Sequence, residues 1–374
     1  MDKLHEIRRA AEPDKTTGTK PQDRTRLDQW LRTLVVQGGS DLLLIAGAPP
    51  CIRFEGDVKN IDSTVLNGPE IEAAVLPALS QHGLELYQRN HIGDSSYRVE
   101  GMGRFRINLH HERGVAAAAI RALPSKVPSI RDLHLAPQVE SLARLRRGLV
   151  LLGGATGSGK STTLAALINE INRHERRHII TIEDPIEYEH LHDKSVVEQI
   201  EIGSDAPDFP TALRAALRQA PDIIVVGEMR DPETMHIAVA AAETGHLVFS
   251  TLHTTDVPST VSRISDAFPL ERQHTIRQEL AMALAAVLVQ VLLPGKNGGR
   301  VPAAELLMVG YGARQHIRRN ALQHLHQEIT ITKNKGSFSM EESLAQLVEQ
   351  GHVDREDATM NAIHPDDLSS LLKG

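Results

Sequence analysis

The chain has a single cysteine, Cys51, which excludes an internal disulfide and any cysteine-built zinc site and suits a reducing compartment. It also lacks a basic balance: 41 Lys and Arg against 48 Asp and Glu give a formal charge of −7, so a phosphate-backbone partner is not expected. Nowhere is there an uninterrupted apolar run of the ~20 residues that a bilayer-spanning helix needs. The polar stretch 1–24 lacks the apolar core of a signal peptide. These absences together predict a cytoplasmic protein that meets a membrane only through a partner. What is present is core-forming material: 374 residues, 41% of them hydrophobic, are enough for two domains of ordinary size.

Residues 1–24 offer almost nothing to bury and read as a mobile tail. Leu27, Trp30, Leu31, Leu34 and Val35 then recur at helical spacing, and Gly38-Gly39 would end that helix. Strand-like runs at 41–45, 51–54, 95–100, 103–110 and 115–123, with a helix near 69–79, predict a small α+β domain over 25–123. Three prolines in 124–137 mark a linker. From 138 to 374 the pattern is α/β. Apolar runs at 148–152, 178–182, 222–226 and 246–252 show no polar alternation, as in a parallel sheet covered on both faces. The apolar run 282–293 suits a buried core helix, and the chain beyond Pro294 reads as helical.

Directly after the first of those strands comes Gly153 followed by Gly154-Ala155-Thr156-Gly157-Ser158-Gly159-Lys160-Ser161-Thr162-Thr163, a match to G-x-x-x-x-G-K-[ST]. Glycines let backbone N–H groups converge on phosphate oxygens, and a helix starting near Lys160 adds the positive end of its dipole. Lys160 is placed to reach the β- and γ-phosphates of ATP, and the Ser161 hydroxyl to ligate Mg²⁺. In such sheets the ligand lies beyond the C-terminal strand ends. Glu183-Asp184-Pro185 follows one strand, and Glu183 can serve a metal, through water, or an attacking water. Glu228 follows another and is the candidate to orient and deprotonate water, its alternative being an acid before the helix at Asp231-Pro232. Asp222 begins that strand, ~20 Å from its tip, and is excluded as a metal-holding acid. Of two histidines on the last strand only His253 sits at the phosphate end; His246 either packs or plays another part. The 19 histidines include His110-His111, His190-x-His192 and His324-x-His326, none with the further ligands a metal site requires.

Four ordered boxes carry a resemblance. Gly154 to Thr163, Thr181-Ile182-Glu183-Asp184-Pro185-Ile186-Glu187, Val226-Gly227-Glu228-Met229-Arg230-Asp231, and Thr244-Gly245-His246 through His253-Thr254 resemble the Walker A, Asp box, Walker B and His box of the PilT/PilU type IV pilus retraction ATPases, within the type II/IV secretion ATPase superfamily. The likeness extends to Gly38-Gly39-Ser40-Asp41-Leu42 and Gly103-Arg104-Phe105-Arg106-Ile107-Asn108. It implies a RecA-like P-loop ATPase domain behind a smaller PAS-like α+β domain, and a hexameric ring. In such a ring Mg²⁺-dependent ATP hydrolysis drives pilus retraction, and twitching motility, through an inner-membrane platform protein. It further implies arginines from the N-terminal domain that steady the γ-phosphate; Arg106 and Arg121 match the fifteen-residue spacing seen in related secretion ATPases. The chain departs from the family at Leu42-Leu43-Leu44-Ile45-Ala46 and in Ala313 to Asn320, where the C-terminal retraction motif is only faintly visible. An accessory subunit of PilU type, dependent on a paralogous motor, is therefore an alternative. A pilus assembly or secretion ATPase is a further one, disfavoured because those carry a cysteine-ligated zinc site.

Overall fold

The structure is a computed structural model describing residues 25–373; the tail expected over 1–24 lies outside them. The chain divides into two compact units after Ala122.

The first unit opens with α1 (Thr25–Val36), whose Leu27, Trp30, Leu31 and Leu34 all fall on one buried stripe. Six strands follow: β1 (Asp41–Leu44), β2 (Cys51–Phe54), β3 (Asp57–Asn60), β4 (Ile92–Val99), β5 (Gly103–Glu112) and β6 (Val115–Ala122). They form one antiparallel sheet in the order β3-β2-β1-β6-β5-β4. Alternation decides its two faces. Phe105, Ile107, Leu109 and Ile120 enter the core, while Arg106 and Arg121 stand on the opposite, exposed face. Between β3 and β4 lie α2 (Gly68–Val75) and α3 (Gln81–Asn90). α2 starts at a capping box in which Asn67 and Glu70 satisfy each other's backbone N–H. α3 has no counterpart in the sequence reading because its apolar positions are few. It packs through Gly83, where an added Cβ would lie 2.6 Å from the Asp94 carbonyl.

The second unit carries β7 (Gly148–Gly153), α4 (Lys160–His174), β8 (His178–Glu183), β9 (Val196–Glu201), α5 (Phe209–Ala216), β10 (Ile223–Val226), α6 (Pro232–Glu243), β11 (Leu247–Leu252), α7 (Val257–Asp266), α8 (Leu270–Ala283), β12 (Leu284–Pro294) and β13 (Arg300–Met308). The sheet order is β13-β12-β7-β11-β10-β8-β9, parallel throughout except for antiparallel β13 at its edge. Every residue of β7 and β11 is buried, because successive side chains feed two different cores. Leu149 and Leu151 pack on one side, Val150 and Leu152 on the other. Such two-sided burial explains the unalternated apolar runs.

Two expectations fail here. The run 282–293 is not a core helix: α8 stops at Ala283 and β12 begins, parallel to β7. Val287, Val289 and Val291 are β-branched, and the strand divides its side chains between both cores, Val287 and Val289 to one, Ala286 and Leu288 to the other. Without polar alternation, apolar content alone does not separate such a strand from a buried helix. Helices do follow Pro294, but only after β13: α9 (Tyr311–Arg318), α10 (Leu325–Ile331), α11 (Met340–Glu349), α12 (Arg355–Asn361) and α13 (Pro365–Leu371). The stretch 124–137, expected as a linker, buries Ile130 and Leu135 in a core of the second unit beside Val139 and Leu142. Among the described residues no helix is long and apolar enough to cross a membrane.

Candidate phosphate-binding site

The loop between β7 and α4 owes its path to glycine. Gly154 and Gly159 have φ of 151° and 89°, a region L side chains avoid, and both are tightly enclosed. A Cβ on Gly154 would lie 2.3 Å from Ser158 Oγ, and one on Gly159 2.9 Å from Gln290 Nε2. Gly159 is the N-cap of α4 and supplies no side-chain cap, so the first N–H groups of the helix are left for an anion. Lys160, only 7% exposed, bends back along the loop and donates from Nζ to the carbonyls of Gly154 (2.8 Å) and Ala155 (2.9 Å). Burial pulls its pKa down, opposed by the charges of Glu228 and Glu187. An ammonium has three N–H groups, and two are spent on carbonyls. A buried cation with a donor to spare beside uncapped helix N–H groups fits a polyphosphate.

The strand ends supply the rest. Gly227 and Glu228 follow β10, and His253 follows β11, its parallel neighbour. The two are stitched where Thr251 Oγ1 donates to the Gly227 carbonyl (2.6 Å). His253 Nε2 lies 3.0 Å from Glu228 Oε1, and its Nδ1 lies 3.4 Å from Thr156 Oγ1 in the phosphate loop. The second carboxylate oxygen of Glu228 pairs with Arg230 at 2.9 Å. Partial burial would raise the Glu228 pKa, but Arg230 and then His253 outweigh it and hold the carboxyl below its usual range. The structure thus places Glu228, His253 and Thr156 in one chain of contacts ending on the loop.

Glu183 closes β8, next to β10, with Gly227 against its backbone. Its Oε1 accepts from Thr181 Oγ1 (2.7 Å) and Gln199 Nε2 (3.2 Å); burial still pushes its pKa up. Ser161 is exposed on the first turn of α4, and Thr162 Oγ1 meets the Tyr188 hydroxyl at 3.0 Å. Asp222 stays at the far end, accepting from the His178 N–H (2.9 Å) and Arg177. His246 lies at that far end too, its Nδ1 3.0 Å from the Ala241 carbonyl at the end of α6. Arg106 and Arg121 belong to the first unit. Their spacing makes them direct cross-strand partners in the β5–β6 pair, both exposed. Arg121 Nε lies 2.8 Å from Asp41, and Arg106 4.0 Å from Asp94.

Sequence reasoning gave no part to Arg230, Tyr188 or Gln290. Arg230 lies in the segment Val226 to Asp231, two residues from Glu228, and that proximity is the available signal. Gln290 was hidden because its segment was read as a helix.

A parallel sheet with a glycine loop at the end of a central strand, and a lysine folded over that loop, defines a P-loop nucleotide-binding protein of RecA-like architecture. The family model described as type II/IV secretion system protein matches residues 114–363, and the chain belongs to that family. It is 40% identical over 332 residues to the Pseudomonas aeruginosa type IV pilus retractation ATPase PilT, covering 89% of this chain and 96% of that one. It is 37% identical over 347 residues to the type IV pilus ATPase PilU of the same organism, covering 92% and 91%. A crystal structure of the pilus retraction motor PilT with bound ADP superposes with a TM-score of 0.83 at 42% identity, over 91% of this chain and 98% of that one.

Proposed function

We propose that the chain is a Mg²⁺-dependent ATPase whose turnover powers type IV pilus retraction, and with it twitching motility. The observation that carries this reading is the contact chain from Thr156 through His253 to Glu228, which ties the water-activating carboxylate to the phosphate loop.

The N–H groups of the loop and of the start of α4, with Lys160, hold the β- and γ-phosphates. The Ser161 hydroxyl would hold Mg²⁺, with Glu183 supporting it through water. Held there, the ion would supply positive charge to offset that of the phosphates. Glu228, kept ionised by Arg230 and His253, accepts a proton from the attacking water. His253 positions Glu228 and senses the loop through Thr156. Arg106 and Arg121, exposed on the first unit, are the candidates to steady the charge on the transferred phosphoryl group. The working form is a hexameric ring at the cytoplasmic face of the inner membrane, acting on a platform protein of the pilus.

The departure of α9 from the expected retraction helix favours a second reading, an accessory subunit that needs a paralogous motor. Phosphate release from ATP by the purified chain with Mg²⁺ separates the two. Turnover unaided supports the motor. ATP binding without turnover, restored by co-assembly with a paralogue on a sizing column, supports the accessory role. No ATP binding at all contradicts both.

A further inference from the structure

One side chain of the sheet reaches the phosphate loop from beneath. From Leu284 to Leu293 β12 is apolar except for Gln290, which is 1% exposed. Its Nε2 donates to the Ser158 carbonyl over 2.5 Å. Its Oε1 is buried without a partner, as is the Ser158 hydroxyl. The loop glycines are fitted to this same residue. A Cβ on Gly159 would lie 2.9 Å from Gln290 Nε2, and one on Gly154 2.6 Å from the Gln290 carbonyl.

Packing does not account for a glutamine here. A methionine would fill the strand position without stranding an acceptor, and buried polar atoms are ordinarily paired because leaving them unpaired is costly. The peptide unit supplies the reason. Carbonyl and N–H point in opposite directions across a planar trans peptide, so anchoring the Ser158 carbonyl on β12 turns the Gly159 N–H away from the sheet. Gly159, lacking a Cβ, is free to adopt other backbone conformations, so this is the peptide most in need of a clamp.

We infer that Gln290 is a positioning residue that locks the Ser158–Gly159 peptide with its N–H aimed at bound phosphate. This rests on the nucleotide-binding reading above. Its test uses the full chain, Mg²⁺-ADP binding by calorimetry, and two variants. Gln290→Met keeps the volume and removes the donor; ADP affinity falls about tenfold, as for a lost hydrogen bond that orients a phosphate donor, while the unfolding midpoint without nucleotide holds or rises. Gln290→Glu donates when protonated and repels the Ser158 carbonyl when ionised. Its affinity relative to wild type therefore falls as the pH rises from about 6 to about 9. If Gln290→Met binds ADP as tightly as wild type, the inference is overturned. If that variant does not fold, the glutamate variant decides, and a flat ratio across pH overturns it equally. Wild-type protein that binds no ADP removes the nucleotide reading itself, whereas wild type and variants binding alike remove only the role of Gln290.

Discussion

The two sheets of this molecule bury themselves differently. In the first unit Phe105, Ile107 and Leu109 alternate with residues on an exposed face, so each strand announces itself by a period of two. In the second unit β7 and β11 are buried at every position, and the apolar run loses its period. The contrast extends to function. One-sided burial leaves Arg106 and Arg121 exposed on the outer face of the first unit's sheet, while two-sided burial in the second puts Glu228, His253 and the phosphate loop at the strand ends.

The largest expected effect on nucleotide binding tests that placement. Lys160→Ala removes the buried cation that faces the loop carbonyls, and ATP affinity falls by about 100-fold or more, since hydrogen bonds to charged groups are the strong ones and several phosphate oxygens lose a partner. Unchanged binding by equilibrium titration would break the claim that the loop is the site. Next comes the exposed face of the first unit. Arg106→Ala and Arg121→Ala each lower turnover by about 10³-fold, as for arginines that steady a transferred phosphoryl group. Each shifts stability by about 1 kcal/mol at most, because their ion pairs are exposed. A large stability loss with turnover intact would make the two arginines structural.

A third effect concerns the second unit alone. Glu305, on β13, is buried and accepts from the Val257 N–H at the start of α7. Burial raises its pKa to about 7 from an ordinary 4.5. The folded state thus binds this proton more tightly than the unfolded chain. Stability from it is full below about pH 4.5, falls as the pH rises toward 7 and levels off above, a loss on the order of 3 kcal/mol. Glu305→Gln keeps the acceptor and removes the titration, so denaturant midpoints flatten across that window; an unchanged pH slope would contradict the assignment. The smallest effect belongs to the first unit. Asn67→Ala opens the capping box of α2 and costs about 1 kcal/mol in chemical unfolding, with nucleotide affinity unchanged.

The sequence was most legible where residue chemistry and backbone demand coincide. Gly154, Gly159 and Lys160 are dictated by the loop itself, and the strand ends at Glu228 and His253 followed from counting residues along an extended chain. Tracking strand length also placed Asp222 and His246 at the far end. Legibility failed where one chemistry serves two structures. The valines and leucines of 284–293 satisfy a buried helix or a two-faced strand equally by composition, and only pairing with β7 and β13 decides. The short, polar α3 was invisible because its docking rests on a glycine and not on an apolar stripe. Arg230 and Gln290 were missed because ion pairs and peptide clamps depend on neighbours distant in sequence, Gln290 lying 132 residues from the carbonyl that it holds.

The central claim is that Glu228 at the end of β10 activates the attacking water. Its most direct test is phosphate release by Glu228→Gln beside wild type, with Mg²⁺-ATP binding measured on both. The account predicts that the variant binds ATP at least as tightly and turns over about 10² to 10⁴ times more slowly, as for loss of a general base. Wild-type turnover by that variant would contradict it.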